Sequence, residues 1–309
     1  MMKRVLDVQS AAFRQDMRFQ AQHPLVTLAY YIGVFTALFL FDSLFYTAAI
    51  LVWMLLLACR TAGGRKSLRL LFGAVLFGGI LLLMNPLVNS EGLHILFYLG
   101  ERPITLESLL YGAHNLLLIV ALLLVFPSLN LLMDSERILF LFSRFLQASA
   151  LILTMAMRFV PLLTRRAREL LQIYRQEGGS LLLRLRHTGN LLGALLDWTM
   201  EEGMQSSRTL RARGYGGRNR TFYSAFRFTV RDAGSLCFLA VAAALLTGLR
   251  FFGAGKWMYF PAFTAPSLHG IQAWGLGLLC FFCGYPFLLE AGSRILHALE
   301  TRRRRTILV

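Results

Sequence analysis

From residue 25 to residue 59 the chain carries one charged side chain, Asp42, in an otherwise apolar run. Built as a single helix at 1.5 Å per residue, such a run would extend roughly 50 Å, against a hydrocarbon core of about 30 Å. One helix overshoots a bilayer. The sequence therefore predicts a tight pair, 25–41 and 44–59, turning at Asp42-Ser43, with each half short for a full crossing. Arg60, Arg65, Lys66 and Arg69 follow and mark the return to the cytoplasm.

Four further apolar runs are expected to span. One covers about 70–88 and is closed by Asn85-Pro86; a second covers about 109–126 and is ended by Pro127. The other two cover about 234–252 and 268–289, joined by a link that holds Pro261 and Pro266. The connection 89–108 reads as an outer loop, acidic on balance, with Glu91, Glu101 and Glu107 against Arg102. With 56% hydrophobic residues and a mean hydropathy of +0.57, the fold class expected is an all-α, polytopic helical membrane protein with an amphipathic helical domain on the cytoplasmic side. The expected divisions are 1–126, with about four spans, then the helical domain at 127–230, then a second membrane pair and basic tail at 231–309.

The net charge of +16 raises the question of nucleic acid, and the position of the charge answers it. Only Arg102, Arg250 and Lys256, of 32 lysines and arginines, fall in segments placed outside; the rest sit on the inner side, as the positive-inside rule requires. The surplus reports orientation and attraction to anionic membrane lipid, so no nucleic-acid partner is expected. The first 23 residues are polar and basic, without a short apolar run before a cleavage site, so no secretory signal is expected and both termini are placed in the cytoplasm.

Chemistry-bearing residues are sparse. Cys280-x-x-Cys283 lies inside an apolar span with no second ligand pair, and with Cys59 and Cys237 it reads as small core residues rather than a metal or redox site. Asp42 sits at a turn, and His114 stands alone near the start of its helix. No carboxylate pair, activated nucleophile or phosphate-cradling glycine loop is present, so the expectation is a non-enzyme with no cofactor and no ATP site of its own.

The polar part is different. Residues 131–145 alternate as an amphipathic stretch, 148–157 are apolar and held at the inner interface, and 158–221 mix leucines with arginines. Three short helices are expected there. The first places Leu163, Ala167, Leu170, Leu171 and Tyr174 on one face, with Arg165, Arg168, Glu169 and Gln172 opposite, and stops at Gly178-Gly179. The second, about 181–196, carries Leu181, Leu185, Leu192 and Leu196 on its apolar side. The third, 197–213, opens on Asp197, Glu201 and Glu202, closes on Arg208, Arg211 and Arg213, and is stopped by Gly214. A guanidinium before such a stop offers a rigid fork of donors to a partner protein, or else neutralises its own helix end.

These segments carry a resemblance. Arg158-Phe159-Val160-Pro161 is similar to the Arg-Phe-(Val or Ile)-Pro segment of the transmembrane T component of energy-coupling factor importers. Ala212-Arg213-Gly214, followed by Tyr215-Gly216-Gly217, resembles the second of that family's two Ala-Arg-Gly motifs. Asn85-Pro86-Leu87, Glu91-Gly92, Phe97-Tyr98-Leu99 and the stretch from Pro103 to Glu107-Ser108 are also similar, so that the likeness runs over roughly residues 20–292. At the first motif the chain departs: Gln176-Glu177-Gly178 puts a glutamate where the family has arginine. Either Arg175 takes over that contact or the partner's surface differs there. The resemblance implies two cytoplasmic ABC ATPase subunits gripping the coupling sites at Arg175–Gly178 and Ala212–Gly214. It also implies a small membrane S component that chooses the vitamin or metal ion, in a bacterial or archaeal cytoplasmic membrane. The rival from another class is a non-transport membrane scaffold that binds some other cytoplasmic protein through the same basic arm.

Overall fold

The computed structural model describes residue 19 and residues 22–88, 92–99, 102–143, 147–174, 181–215, 226–259 and 270–292. Its packing separates two units, Met1–Ser135 with Arg227–Val309, and Glu136–Phe226. The membrane regions expected at the two ends of the chain thus belong to one unit.

In that unit α1 (Pro24–Leu40) starts where proline supplies its own φ at the first turn and the His23 ring accepts from the Leu25 N–H. The chain turns through Phe41–Ser43 into α2 (Leu44–Ala62), which Gly63 ends at φ +86°. Then α3 (Gly64–Val88) runs through Pro86 for two more residues. The 89–108 segment expected as a loop contains an antiparallel hairpin, β1 (Ile95–Leu99) with β2 (Arg102–Thr105), so the all-α expectation gives way to a mostly helical fold with one small sheet. Next, α4 (Leu106–Leu132) passes through Pro127, where a stop was expected. A proline costs one backbone hydrogen bond, which a packed helix in lipid can tolerate, and Ser128 donates its hydroxyl to the Val125 carbonyl beside it. After the second unit come α8 (Val230–Phe251), opened by a Thr229/Asp232 capping box, α9 (Ile271–Cys283) and α10 (Tyr285–Gly292). The last two form one apolar run bent by 59° at Gly284, instead of the straight sixth span expected. A side chain at Gly284 would lie 2.9 Å from the Cys280 carbonyl and 3.1 Å from the Trp53 ring, so only glycine fits the bend.

Among the described residues α2, α3, α4 and α8 are long and apolar enough to cross a membrane, and the bent α9–α10 pair makes a fifth crossing if it counts as one span. Lipid tails give apolar side chains no reason to prefer each other, so this unit must be held by close packing and hydrogen bonds. Both are visible. Gly78 lies against Leu116 and Gly112 against Leu82, letting α3 and α4 approach at two levels. Tyr30, Tyr31 and Tyr46, each at most 1% exposed, donate to the Cys283 carbonyl (2.9 Å), Ser128 Oγ (3.1 Å) and the Gln272 carbonyl (2.8 Å). Three phenols therefore tie α1 to α9 and α4, and α2 to α9. Gly33 and Gly275 make room, since a Cβ there would fall 2.3 Å from Phe282 and 2.4 Å from the Tyr46 hydroxyl. Of the cysteines, Cys283 is buried, Cys59 and Cys280 are half-buried and Cys237 is exposed, which departs from a uniform core role.

The second unit holds α5, whose helix runs Ser135–Ser143, then α6 (Gln147–Tyr174) and α7 (Leu181–Ala212). Phe140 meets Phe226 at 5.1 Å, and the Arg137 guanidinium lies 5.7 Å over the same ring, which closes the end of the unit onto its start.

Candidate functional site

The three short helices expected in the arm are two long ones. Arg158-Phe159-Val160-Pro161 lies inside α6, which is continuous from the apolar 148–157 stretch through Pro161, with Thr164 donating to the Pro161 carbonyl at 2.9 Å. Asp197, Glu201 and Glu202 lie within the 32 residues of α7, not at a helix start, so the dipole argument made for them fails. The expected boundary failed because Asp197 resembles a helix-start signal, whereas a helix packed along one face tolerates it.

On α6, Leu163, Ala167 and Leu170 are half-buried, while Leu171 joins Arg165, Arg168, Glu169 and Gln172 on the exposed side. On α7 the apolar face is not the one expected. Leu191 is buried and Leu195, Trp198 and Thr199 are half-buried, whereas Leu192 and Leu196 are exposed. The doublets Leu191-Leu192 and Leu195-Leu196 permit either register, and the inward one is selected by continuation into Trp198. The outward line continues as Met200 and Met204, so Leu192, Leu196, Met200 and Met204 stand at i, i+4 spacing with 55–70% of each side chain exposed. The sequence reading placed Leu192 and Leu196 together on one side but missed their continuation into Met200 and Met204.

The end of α7 is the best-defined local geometry in the arm. Arg213 N–H donates to the Thr209 carbonyl at 3.0 Å, Gly214 N–H to Arg211 at 2.9 Å and Tyr215 N–H to Leu210 at 3.0 Å. With Gly214 at φ +79°, the last two bonds make a Schellman motif. The Thr209, Leu210 and Arg211 carbonyls already have backbone donors, so the guanidinium is not needed to cap them. Ala212, Arg213 and Gly214 are all exposed, and the Arg213 side chain has no partner among the described residues. Arg208 and Arg211 are exposed beside it and give the terminus a local positive field. Arg175, Gln176, Glu177 and Gly178, the first coupling position, lie outside the described residues.

The segment between α3 and α4 that carried part of the resemblance also assembles. Glu107, placed by the sequence in the acidic 89–108 loop, is fully buried, accepting from His94 Nδ1 at 2.7 Å and from the His94 N–H at 3.3 Å. Thr105 caps α4 through Ser108 N–H, and Asn85 donates to the Ser108 carbonyl at 2.7 Å. Gly92 fits against Glu107 and Thr105, where a Cβ would come within 2.6 Å of the carboxylate. The knot fixes the hairpin to the ends of α3 and α4. No protein-family model matches the chain, and no curated protein sequence matches it.

Proposed function

We propose that the chain is the transmembrane coupling subunit, or T component, of an energy-coupling factor importer. The observation that carries this is Arg213: an exposed guanidinium without a partner among the described residues, held just past a long helix whose Thr209, Leu210 and Arg211 carbonyls already have backbone donors. A guanidinium so placed can enter a groove on an ATPase subunit and take carboxylates or carbonyls there. The exposed Leu192–Met204 row supports a second contact, with the apolar S component. ATP-driven closure of two ATPase subunits would move the arm, and the arm would tilt or release the S component.

Purification of the full chain from its native membrane tests the reading: two ATP-hydrolysing subunits and a small apolar protein should accompany it. Arg213→Ala should weaken ATPase association by about 2–5 kcal/mol, the usual loss when one partner of a buried charge contact is removed, with the thermal stability of the chain unchanged. Undiminished association in that variant would remove the central support. Recovery of an unrelated cytoplasmic protein in place of ATPases would favour the scaffold reading.

A further inference from the structure

The β1–β2 hairpin leaves apolar side chains uncovered. Leu93, Ile95, Leu96 and Tyr98 are between 47% and 67% exposed. Leu96 is the extra residue of a bulge, since Ile95 pairs with Thr105 and Phe97 with Ile104, so no residue stands opposite it. The last turns of α3, to which the hairpin is tied, are exposed in the same way at Leu83, Met84 and Val88. Apolar surface on this scale marks a contact with something other than water.

The tether fixes the height of the hairpin. Leu106 N–H donates to the His94 carbonyl at 2.9 Å, and the Glu107 carboxylate takes both the His94 ring and the His94 N–H, so the start of β1 is held against the first turn of α4. Asn85, near the end of α3, donates to the Ser108 carbonyl at the same place. Arg65, Lys66 and Arg69 belong in the headgroup layer at the other end of α3. From Leu70 to Val88 the helix rises about 28 Å, nearly the whole of a hydrocarbon core of about 30 Å. The hairpin is therefore carried to the level where hydrocarbon gives way to headgroups. Its depth has a limit as well. Two strands leave an unpaired edge on each side, and such edges do not occur in hydrocarbon, where nothing can satisfy them. Headgroups and their water can. Glu107, the one carboxylate among the described residues of 92–108, is buried, so this surface presents no acid to the lipid.

We infer that the hairpin is an interfacial anchor, with Leu93, Ile95 and Leu96 in the headgroup–acyl boundary of the nearer leaflet and Tyr98 among the headgroups. Apolar side chains at such a boundary sink about 5–10 Å, and a tyrosine suits its polar side because the ring is apolar and the hydroxyl is not. The partner is bilayer lipid rather than a protein, because the two flanking spans bring this segment to the boundary whatever else is bound. The inference rests on α3 and α4 crossing the membrane and uses no residue of the arm.

Photolabelling of the full chain in phosphatidylcholine nanodiscs tests it, with a diazirine carried by the lipid either beside the glycerol or at the end of an acyl chain, and adducts mapped by mass spectrometry. Residues 93–98 should take the glycerol-level probe about threefold more than the chain-end probe, and the middle of α3 around Leu76 should show the reverse preference. Leu93→Asn made together with Leu96→Asn should cut the labelling of Tyr98 about threefold, while unchanged labelling of α3 reports an intact fold. A hairpin that escapes both probes while α3 is labelled, because it meets water or a second copy of the chain, would overturn the inference. So would a preference for the chain-end probe, or labelling of Tyr98 undiminished in the double variant. If α3 itself took neither probe, its membrane crossing would fall first and the inference with it.

Discussion

The two units differ in how much apolar core they hold, although both leave large apolar side chains exposed, Phe72 at 73% and Phe251 at 82% in the membrane unit. In the membrane unit Tyr30, Tyr46, Ile50 and Phe282 are at most 1% exposed. In the arm, Leu191 is the one buried hydrophobic side chain among the described residues, while Leu196 is 65% and Met200 70% exposed. A unit in lipid gains little by hiding leucine from its solvent, so its burial reflects shape and tyrosine hydrogen bonds. A row that met water would gain a good deal by being covered, and the proposed function assigns that cover to a partner. The contrast separates residues that hold this chain together from residues that face outward.

If that separation is sound, the largest stability loss belongs to the membrane unit. Phe282→Ala empties the space between Tyr30, whose ring stacks on it at 5.9 Å, and Gly33. The expected cost is about 3 kcal/mol, the lower end for a buried phenylalanine, because in lipid the packing loss remains and much of the transfer contribution does not. Reversible denaturation in mixed micelles reads it, and a loss below 1 kcal/mol would mean that packing does not hold this unit. Glu107→Gln should cost about 2 kcal/mol, since an amide donor replaces one oxygen of a buried carboxylate facing the His94 donors. Limited proteolysis of the hairpin, together with thermal unfolding, checks this; equal stability would show that the His94 contacts do not hold the hairpin.

The same contrast explains what could be read in advance. Helix placement in the membrane unit was legible because apolar length alone decides it, and the pair turning at Asp42-Ser43 follows from 17- and 19-residue helices. Proline misled the reading, because its local cost is small beside the packing of a long helix; Pro86 and Pro127 both lie inside helices. The hairpin was hidden because Ile95–Leu99 is a short apolar run whose partner strand includes Pro103, and pairing is a non-local fact. For the same reason Asp42, His114 and Tyr259, far apart in the chain, gave no sign of sharing a cavity. At the arm's end the terminus was legible, since a glycine after a basic turn has a local meaning. The outward register of α7 was not, because leucine doublets leave the face undecided.

A smaller effect should fall on the arm's terminus. Gly214→Ala forces a side chain into the left-handed region at φ +79°, although a Cβ there would touch nothing within 4 Å. The cost is therefore conformational alone, about 1 kcal/mol. Hydrogen exchange at the Tyr215 and Gly214 amides should accelerate while the membrane unit keeps its stability. Unaltered exchange there would show that these two bonds do not define the helix end.

The smallest change tests the arm's outward row. Leu196→Gln and Met200→Gln replace side chains that are 65% and 70% exposed, so each should alter the stability of the isolated chain by no more than about 0.5 kcal/mol. If the row is a partner surface, the same two changes made together should release the small apolar protein from the purified assembly while the ATPase subunits remain on Arg213. A destabilisation above 1 kcal/mol in the isolated chain would instead make the row part of the arm's own packing. The comparison between a self-contained membrane unit and an arm awaiting partners would then fail at its most exposed point.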